Sequence, residues 1–176
     1  RKKKFIAVHD FVNREKYNSA ITEVNKLLSY PSNREHFPLA LKMKGDLLLL
    51  ARHYEEAKAF FASMIKIESL AWAEQGLVKS LIALDFDDDA EKKIISLAAR
   101  RETKTIAYEL LASLQIKQGA YDDALESMLI ATEISPKNMR RQHIARLIAR
   151  LTHDHETEFS VTQSLLQNSK NTVSET

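Results

Sequence analysis

Four short segments of this chain superimpose on one another at a nearly constant interval. They are Tyr17-Asn18-Ser19-Ala20, Tyr54-Glu55-Glu56-Ala57, Asp87-Asp88-Asp89-Ala90 and Tyr121-Asp122-Asp123-Ala124, whose alanines lie 37, 33 and 34 residues apart. Position +4 from each alanine carries Val24, Phe61, Ile94 or Met128, and position +7 carries Leu27, Met64, Leu97 or Ala131. Steps of four and three keep these side chains on one stripe of a 3.6-residue helix. Upstream, positions −13 and −12 read Ala7-Val8, Lys44-Gly45, Leu77-Val78 and Leu111-Ala112, and −9 reads Phe11, Leu48, Leu81 and Gln115. A small residue near −12 facing a small anchor alanine lets two antiparallel helices approach closely. Each copy is therefore a helix hairpin that needs neighbours to bury its apolar stripe.

Composition removes the competing folds. The 176 residues include three Gly, three Pro and no Cys, with 44% hydrophobic and 28% charged. Average chains carry roughly 7% Gly and 5% Pro. Hairpin-rich sheets need such turn residues, and disordered chains carry fewer Leu, Ile and Val. The periodicity predicts five helix pairs: 3–12 with 17–29, 37–51 with 54–68, 71–83 with 87–100, 104–117 with 121–134, and 138–152 with 155–168. The pairs are expected to form one domain, 1–168, followed by a frayed polar tail, 169–176. Extending the register by 34 from Ala124 reaches Glu158, with Ala145, Arg146 and Ala149 before it and Thr162 and Leu165 after. A charged residue at the close-packing position suits a terminal unit. The link Ser29-Tyr30-Pro31-Ser32-Asn33 holds the three-residue excess of the first interval.

The fourth copy, with Tyr108, Leu111, Ala112, Gly119, Tyr121, Ala124, Ala131 and Pro136, resembles the tetratricopeptide repeat (TPR). The resemblance covers nearly the whole chain and implies an all-α, right-handed α-α superhelix of about five antiparallel helix pairs. Gly119 is expected in a left-handed turn and Pro136 at a helix end. Other copies depart from the pattern: Lys44 replaces a Leu, Asp85 the turn glycine, and Ser69 and Glu102 the closing proline.

Catalytic chemistry is not legible. His153 and His155 flank Asp154 at a predicted turn, whereas helical metal pairs stand at i and i+4. Asp85-Phe86-Asp87-Asp88-Asp89 lacks the glycine and closing Glu of a calcium loop, and Asp87 or its neighbour reads as a helix N-cap. Gly45, Gly76 and Gly119 are too far apart for a phosphate loop, and the missing Cys excludes thiol chemistry. No enzyme activity, metal or cofactor is expected. The apolar run Leu47–Ala51 is flanked by Asp46 and Arg52, too short to span a bilayer, and the basic start lacks a sustained apolar signal region. A cytoplasmic setting is expected. The chain begins with Arg1 rather than Met, which is compatible with a fragment.

Function is expected from a surface. The first helices of a hairpin stack line its inner face. On this register that face offers Phe5, Leu39, Leu49, Trp72, Ile82, Ile106 and Ile116 ringed by Lys42, Lys79, Lys117 and Arg150. Such a trough suits an amphipathic helix or extended peptide bearing carboxylates. The Lys, Asn and Arg set with which some TPR proteins clamp a C-terminal carboxylate is not matched. Two stretches, Ala71-Trp72-Ala73-Glu74-Gln75-Gly76-Leu77 with Leu81-Ile82-Ala83-Leu84, and Ser135-Pro136-Lys137-Asn138 with Arg140-Arg141-Gln142, are similar to the repeat region after a receiver domain in certain bacterial response regulators. That resemblance implies a protein-binding output module of a two-component system. The basic groups Arg100-Arg101-Lys104 and Arg140-Arg141-Arg146-Arg150 raise nucleic-acid or transcription-complex binding as an alternative. The balance of 26 basic to 24 acidic residues does not demand it. Self-association through the terminal unit, from Arg140 to Leu165, is a third reading.

Overall fold

The computed structural model describes residues 2–174, among which no strand occurs. Ten α-helices follow in order: α1 Ile6–Asn13, α2 Tyr17–Ser29, α3 Phe37–Leu50, α4 Tyr54–Ile67, α5 Ala71–Ala83, α6 Asp87–Ala98, α7 Lys104–Lys117, α8 Tyr121–Ile134, α9 Met139–Leu151 and α10 His155–Ser174. Two 3₁₀ segments, Lys2–Phe5 and Pro31–His36, precede α1 and α3. The three-residue excess of the first interval thus becomes a 3₁₀ turn. The tail expected to fray is instead helical as far as Ser174, since neither Gly nor Pro interrupts α10.

The chain divides into two compact units, Arg1–Phe86 and Asp87–Thr176. The division falls between α5 and α6, not at the irregular link. In the first unit α2 packs on α1 and α3, while α4 packs on α3 and α5. In the second, α6 to α10 pack each on the next.

The anchor alanines Ala20, Ala57, Ala90 and Ala124 are wholly buried, and so, nearly, are Val24, Phe61, Ile94 and Met128 four residues on. Phe61 of α4 joins three helices of the first unit. Its ring lies against the bare Cα positions of Gly45 on α3 and Gly76 on α5, and meets Trp72 edge-on at 6.1 Å. Two glycines in helix interiors cost about 1 kcal/mol each in propensity. Burying a phenylalanine ring between three helices returns roughly 2–3 kcal/mol. In the second unit, Ala112, Met128, Ala131, Ala145, Ile148 and Val161 belong to one continuous cluster against which Tyr108 packs.

The turns that follow α1, α3, α5, α7 and α9 all close in the same way. Glu15, Arg52, Asp85, Gly119 and His153 each adopt a left-handed backbone, at φ of 56°, 59°, 64°, 77° and 58°. Each stands five residues before its anchor. The amide after each donates to a carbonyl five residues back: Lys16 to Phe11, His53 to Leu48, Phe86 to Leu81, Ala120 to Gln115 and Asp154 to Ala149. Each left-handed residue itself donates three residues back, as Arg52 does to Leu49 at 3.1 Å. This is the Schellman closure, which satisfies carbonyls that the helix end leaves open. Only one turn uses glycine, so four carry a side chain where it costs about 1–2 kcal/mol.

Helix starts are also defined locally. The Asn138 side chain accepts from the Arg141 amide at 3.1 Å, and the Pro136 carbonyl accepts from Gln142 Nε2 at 2.6 Å. Asp154 accepts from both the amide and the hydroxyl of Thr157, at 3.0 and 2.7 Å. Helix α6 begins at Asp87 itself, one residue earlier than a cap at that position would place it. Asp87, Asp88 and Asp89 form the first turn of α6, where their negative charges complement the positive end of the helix dipole.

Candidate protein-binding face

In the first unit α3 and α5 run side by side with α4 packed on both, so each has a side turned away from α4. Leu39, Lys42, Asp46 and Leu50 of α3 and Lys79 of α5 are exposed there, while Leu49, Trp72, Gln75 and Ile82 are half-buried. The spacing 42, 46 and 49 on α3, and 72, 75, 79 and 82 on α5, places each set on one stripe.

Asp46 links the two helices electrostatically. Crowding around its carboxyl raises its pKa above the ordinary aspartate value, although the residue keeps an exposed edge. Lys42, one turn away, and Lys79, on α5, pull in the opposite direction. One carboxylate thus stands between two ammonium groups, and the strip keeps an excess of positive charge. Asp46 falls on the same stripe of the first helix as Lys42 and Leu49, with no role assigned to it from sequence. The i, i+4 pairing with Lys42 was the available signal.

Trp72 is half-buried because one edge rests on Phe61, leaving the other open. Phe5 does not belong to the face. It is only 3% exposed and packs edge-on against His36 at 5.9 Å. The reason is local: a 3₁₀ segment precedes α1 and turns Phe5 toward the Pro31–His36 turn, where Lys4 also bonds Asn33.

The sequence-predicted residues of the second unit lie in a different setting. Ile106 is half-buried and Ile116 sits at the edge of exposure. Lys117 is bound by Asp87 at 2.7 Å, and Arg150 by Glu158 at 2.8 Å, so neither is an unengaged cation. Glu158, the charged residue at the fifth anchor, therefore turns its carboxylate to α9. A two-arginine ionic group was missed from sequence. Glu109 on α7, with a side chain only 10% exposed, accepts from Arg140 at 2.7 Å and from Arg141 Nε at 2.9 Å. These arginines stitch α7 to α9, which removes them from the basic cluster considered for nucleic acid. Separations of 31 and 32 residues, a little under one repeat, were the clue in the chain.

Among the described residues, no group of three His, Cys, Asp or Glu is placed to hold a metal ion, and no helix is long and apolar enough to cross a membrane. His153 and His155 face each other as tilted rings 6.4 Å apart.

Ten successive helices, a common turn and buried small anchors define an all-α helical-repeat fold of the TPR-like solenoid class. Two solved structures of MamA share the fold. One, from Desulfovibrio magneticus RS-1, has 15% identity and TM-score 0.59 over 97% of this chain and 95% of that one. Another has 15% identity and TM-score 0.60 over 95% and 96%. YrrB, described as a TPR protein with an unusual peptide-binding site, has 17% identity and TM-score 0.51 over 92% and 82%. No family model matches the sequence, and no curated protein does.

Proposed function

We propose that this protein is a non-catalytic interaction scaffold whose α3–α5 face receives an acidic, partly apolar helix or peptide from another protein. The observation that carries this reading is the pair of exposed lysines, Lys42 and Lys79, set on adjacent helices beside Leu39, Leu49, Ile82 and the open edge of Trp72. A carboxylate of the partner would compete with Asp46 for the two ammonium groups, while apolar anchors cover Leu49 and Trp72. Peptide binding by YrrB, a similar fold, supports the class of partner. Ile106 and Ile116 extend the reading to a separate patch on the second unit.

The response-regulator resemblance of Ala71–Leu84 and Ser135–Gln142 supports a role as the output module of a signalling protein, and the lack of cysteine fits a cytoplasmic setting. Much of the second stretch has a structural task, through the Asn138 cap, the Gln142 bond to Pro136 and the Arg140 and Arg141 pairs to Glu109. Self-association through the last hairpin is a second reading, favoured by the apolar residues Leu147, Leu151, Phe159 and Leu166 exposed on α9 and α10.

Capture of partners by wild type is compared with Leu49→Ala and with Lys42→Glu/Lys79→Glu. The double reversal should reduce recovery at least about tenfold, as expected for losing two charge contacts and gaining two repulsions. Equal recovery of every captured protein by all three would remove the face from consideration.

A further inference from the structure

The outer side of α10 carries a pattern that complements itself. Opposite its buried residues Val161 and Leu165, the helix presents Glu156, Phe159, Gln163, Leu166 and Lys170, all exposed. Phe159 is 66% and Leu166 52% accessible. The five lie at steps of three and four, the spacing of a two-helix seam. Their order is acidic, apolar, polar, apolar, basic, so the stripe read backwards is its own partner in charge and in hydrophobicity.

We propose that this stripe pairs antiparallel with the same stripe of a second copy, about a two-fold axis at Gln163. Glu156 then meets Lys170 of the other copy, Phe159 meets Leu166, and the two Gln163 amides face each other at the centre. The contact is isologous, the commonest arrangement for dimers. The proposal rests on the self-association reading above and names its geometry. Charge complementarity selects the occupant: two Glu–Lys pairs form in the antiparallel dimer, whereas a parallel one would oppose Glu to Glu and Lys to Lys. Glu158 pairs with Arg150, whereas among the described residues no hydrogen bond or ion pair engages Glu156 or Lys170. The stripe spans 14 helical steps, about 21 Å. A single helix pair of that length falls short of the ~1,200 Å² of a standard interface, so the dimer is weak, with Kd on the order of 10–500 μM.

Sedimentation velocity from about 5 to 500 μM tests it, with circular dichroism confirming that each variant is folded. Wild type should pass from monomer to dimer across that range. Phe159→Glu should remain monomeric. Glu156→Lys and Lys170→Glu should each weaken dimerisation about tenfold, because a two-fold axis repeats the repulsion. Mixing these two variants should restore it, since each supplies the charge the other lacks. The double variant Glu156→Lys/Lys170→Glu should match wild type. A monomer throughout would overturn both the geometry and the self-association reading. A dimer indifferent to single reversals would overturn the geometry alone and leave self-association through another surface.

Discussion

Alanine at position 76 gives the sharpest test of how the first unit is packed. Gly76 lies in the middle of α5, where helix propensity alone makes Gly→Ala favourable by about 1 kcal/mol. The structure reverses that expectation. A Cβ at residue 76 would sit 2.2 Å from Phe61 Cζ, 2.3 Å from Cε1 and 2.5 Å from Cε2. Carbon contacts normally settle at about 3.5–4.0 Å, so the ring would have to withdraw by more than an ångström. It has little room to do so. On its other side the Cβ position of Gly45 lies 2.5 Å from the same ring, and Trp72 rests against it edge-on. Overpacking of this kind costs typically about 1–3 kcal/mol, and subtracting the propensity gain leaves Gly76→Ala destabilising by up to about 2 kcal/mol. Urea denaturation followed by the fluorescence of Trp72, the only tryptophan in the chain, reads the effect at the site itself. Phe61→Leu should be destabilising alone, since it empties a buried ring site. In its presence, however, the alanine should no longer clash. The double variant should be more stable than the sum of the singles by at least about 1 kcal/mol. A higher urea midpoint for Gly76→Ala, or strict additivity of the pair, would show that Phe61 is not held between the two glycines.

Two other consequences are as direct. Arg52→Gly, and likewise Glu15→Gly, should stabilise by up to about 1 kcal/mol, because relief of the left-handed backbone outweighs the extra unfolded-state entropy of glycine. Gly119→Ala should cost about that much although nothing lies near its Cβ, and thermal melts giving the opposite signs would refute the turn argument. At the start of α10, the Thr157 amide and then its hydroxyl hold Asp154 below its ordinary pKa, with a smaller contribution from His155. The folded pKa is the lower one, so the cap is fully formed above the ordinary carboxylate range and is lost as pH falls through the folded value. Exchange of the Thr157 amide, followed by NMR between about pH 5 and 2, should accelerate in acid beyond its intrinsic trend, and Asp154→Asn should abolish that dependence. An unchanged protection factor in wild type would contradict it.

The repeat was legible because close packing tolerates few residue types. Ala20, Ala57, Ala90 and Ala124 are wholly buried at the positions where their spacing demanded small side chains. The expected helix spans agree with the observed ones within a few residues, apart from the 3₁₀ start at Lys2–Phe5 and the extension of α10. The candidate face was legible only in part. Leu39, Lys42, Leu49, Trp72, Lys79 and Ile82 are accessible at least in part on α3 and α5. Phe5 is buried, and Lys117 and Arg150 are bound by acids far from them in sequence. Helical periodicity says which side of a helix a residue occupies. It does not say which distant carboxylate will reach it.

Sequence alone therefore determined the class of structure: helix number, approximate helix boundaries and buried stripe all follow from local periodicity, which is a one-dimensional property. Tertiary structure decided what depends on several helices at once. It set the ring of Phe61 between Gly45 and Gly76, put Glu109 under two arginines, and imposed the same left-handed turn on four residues that do not favour it. The physical reason is that hairpin closure and helix stacking together outweigh a local penalty of about 1–2 kcal/mol, so a turn that lacks glycine still closes as though it had one.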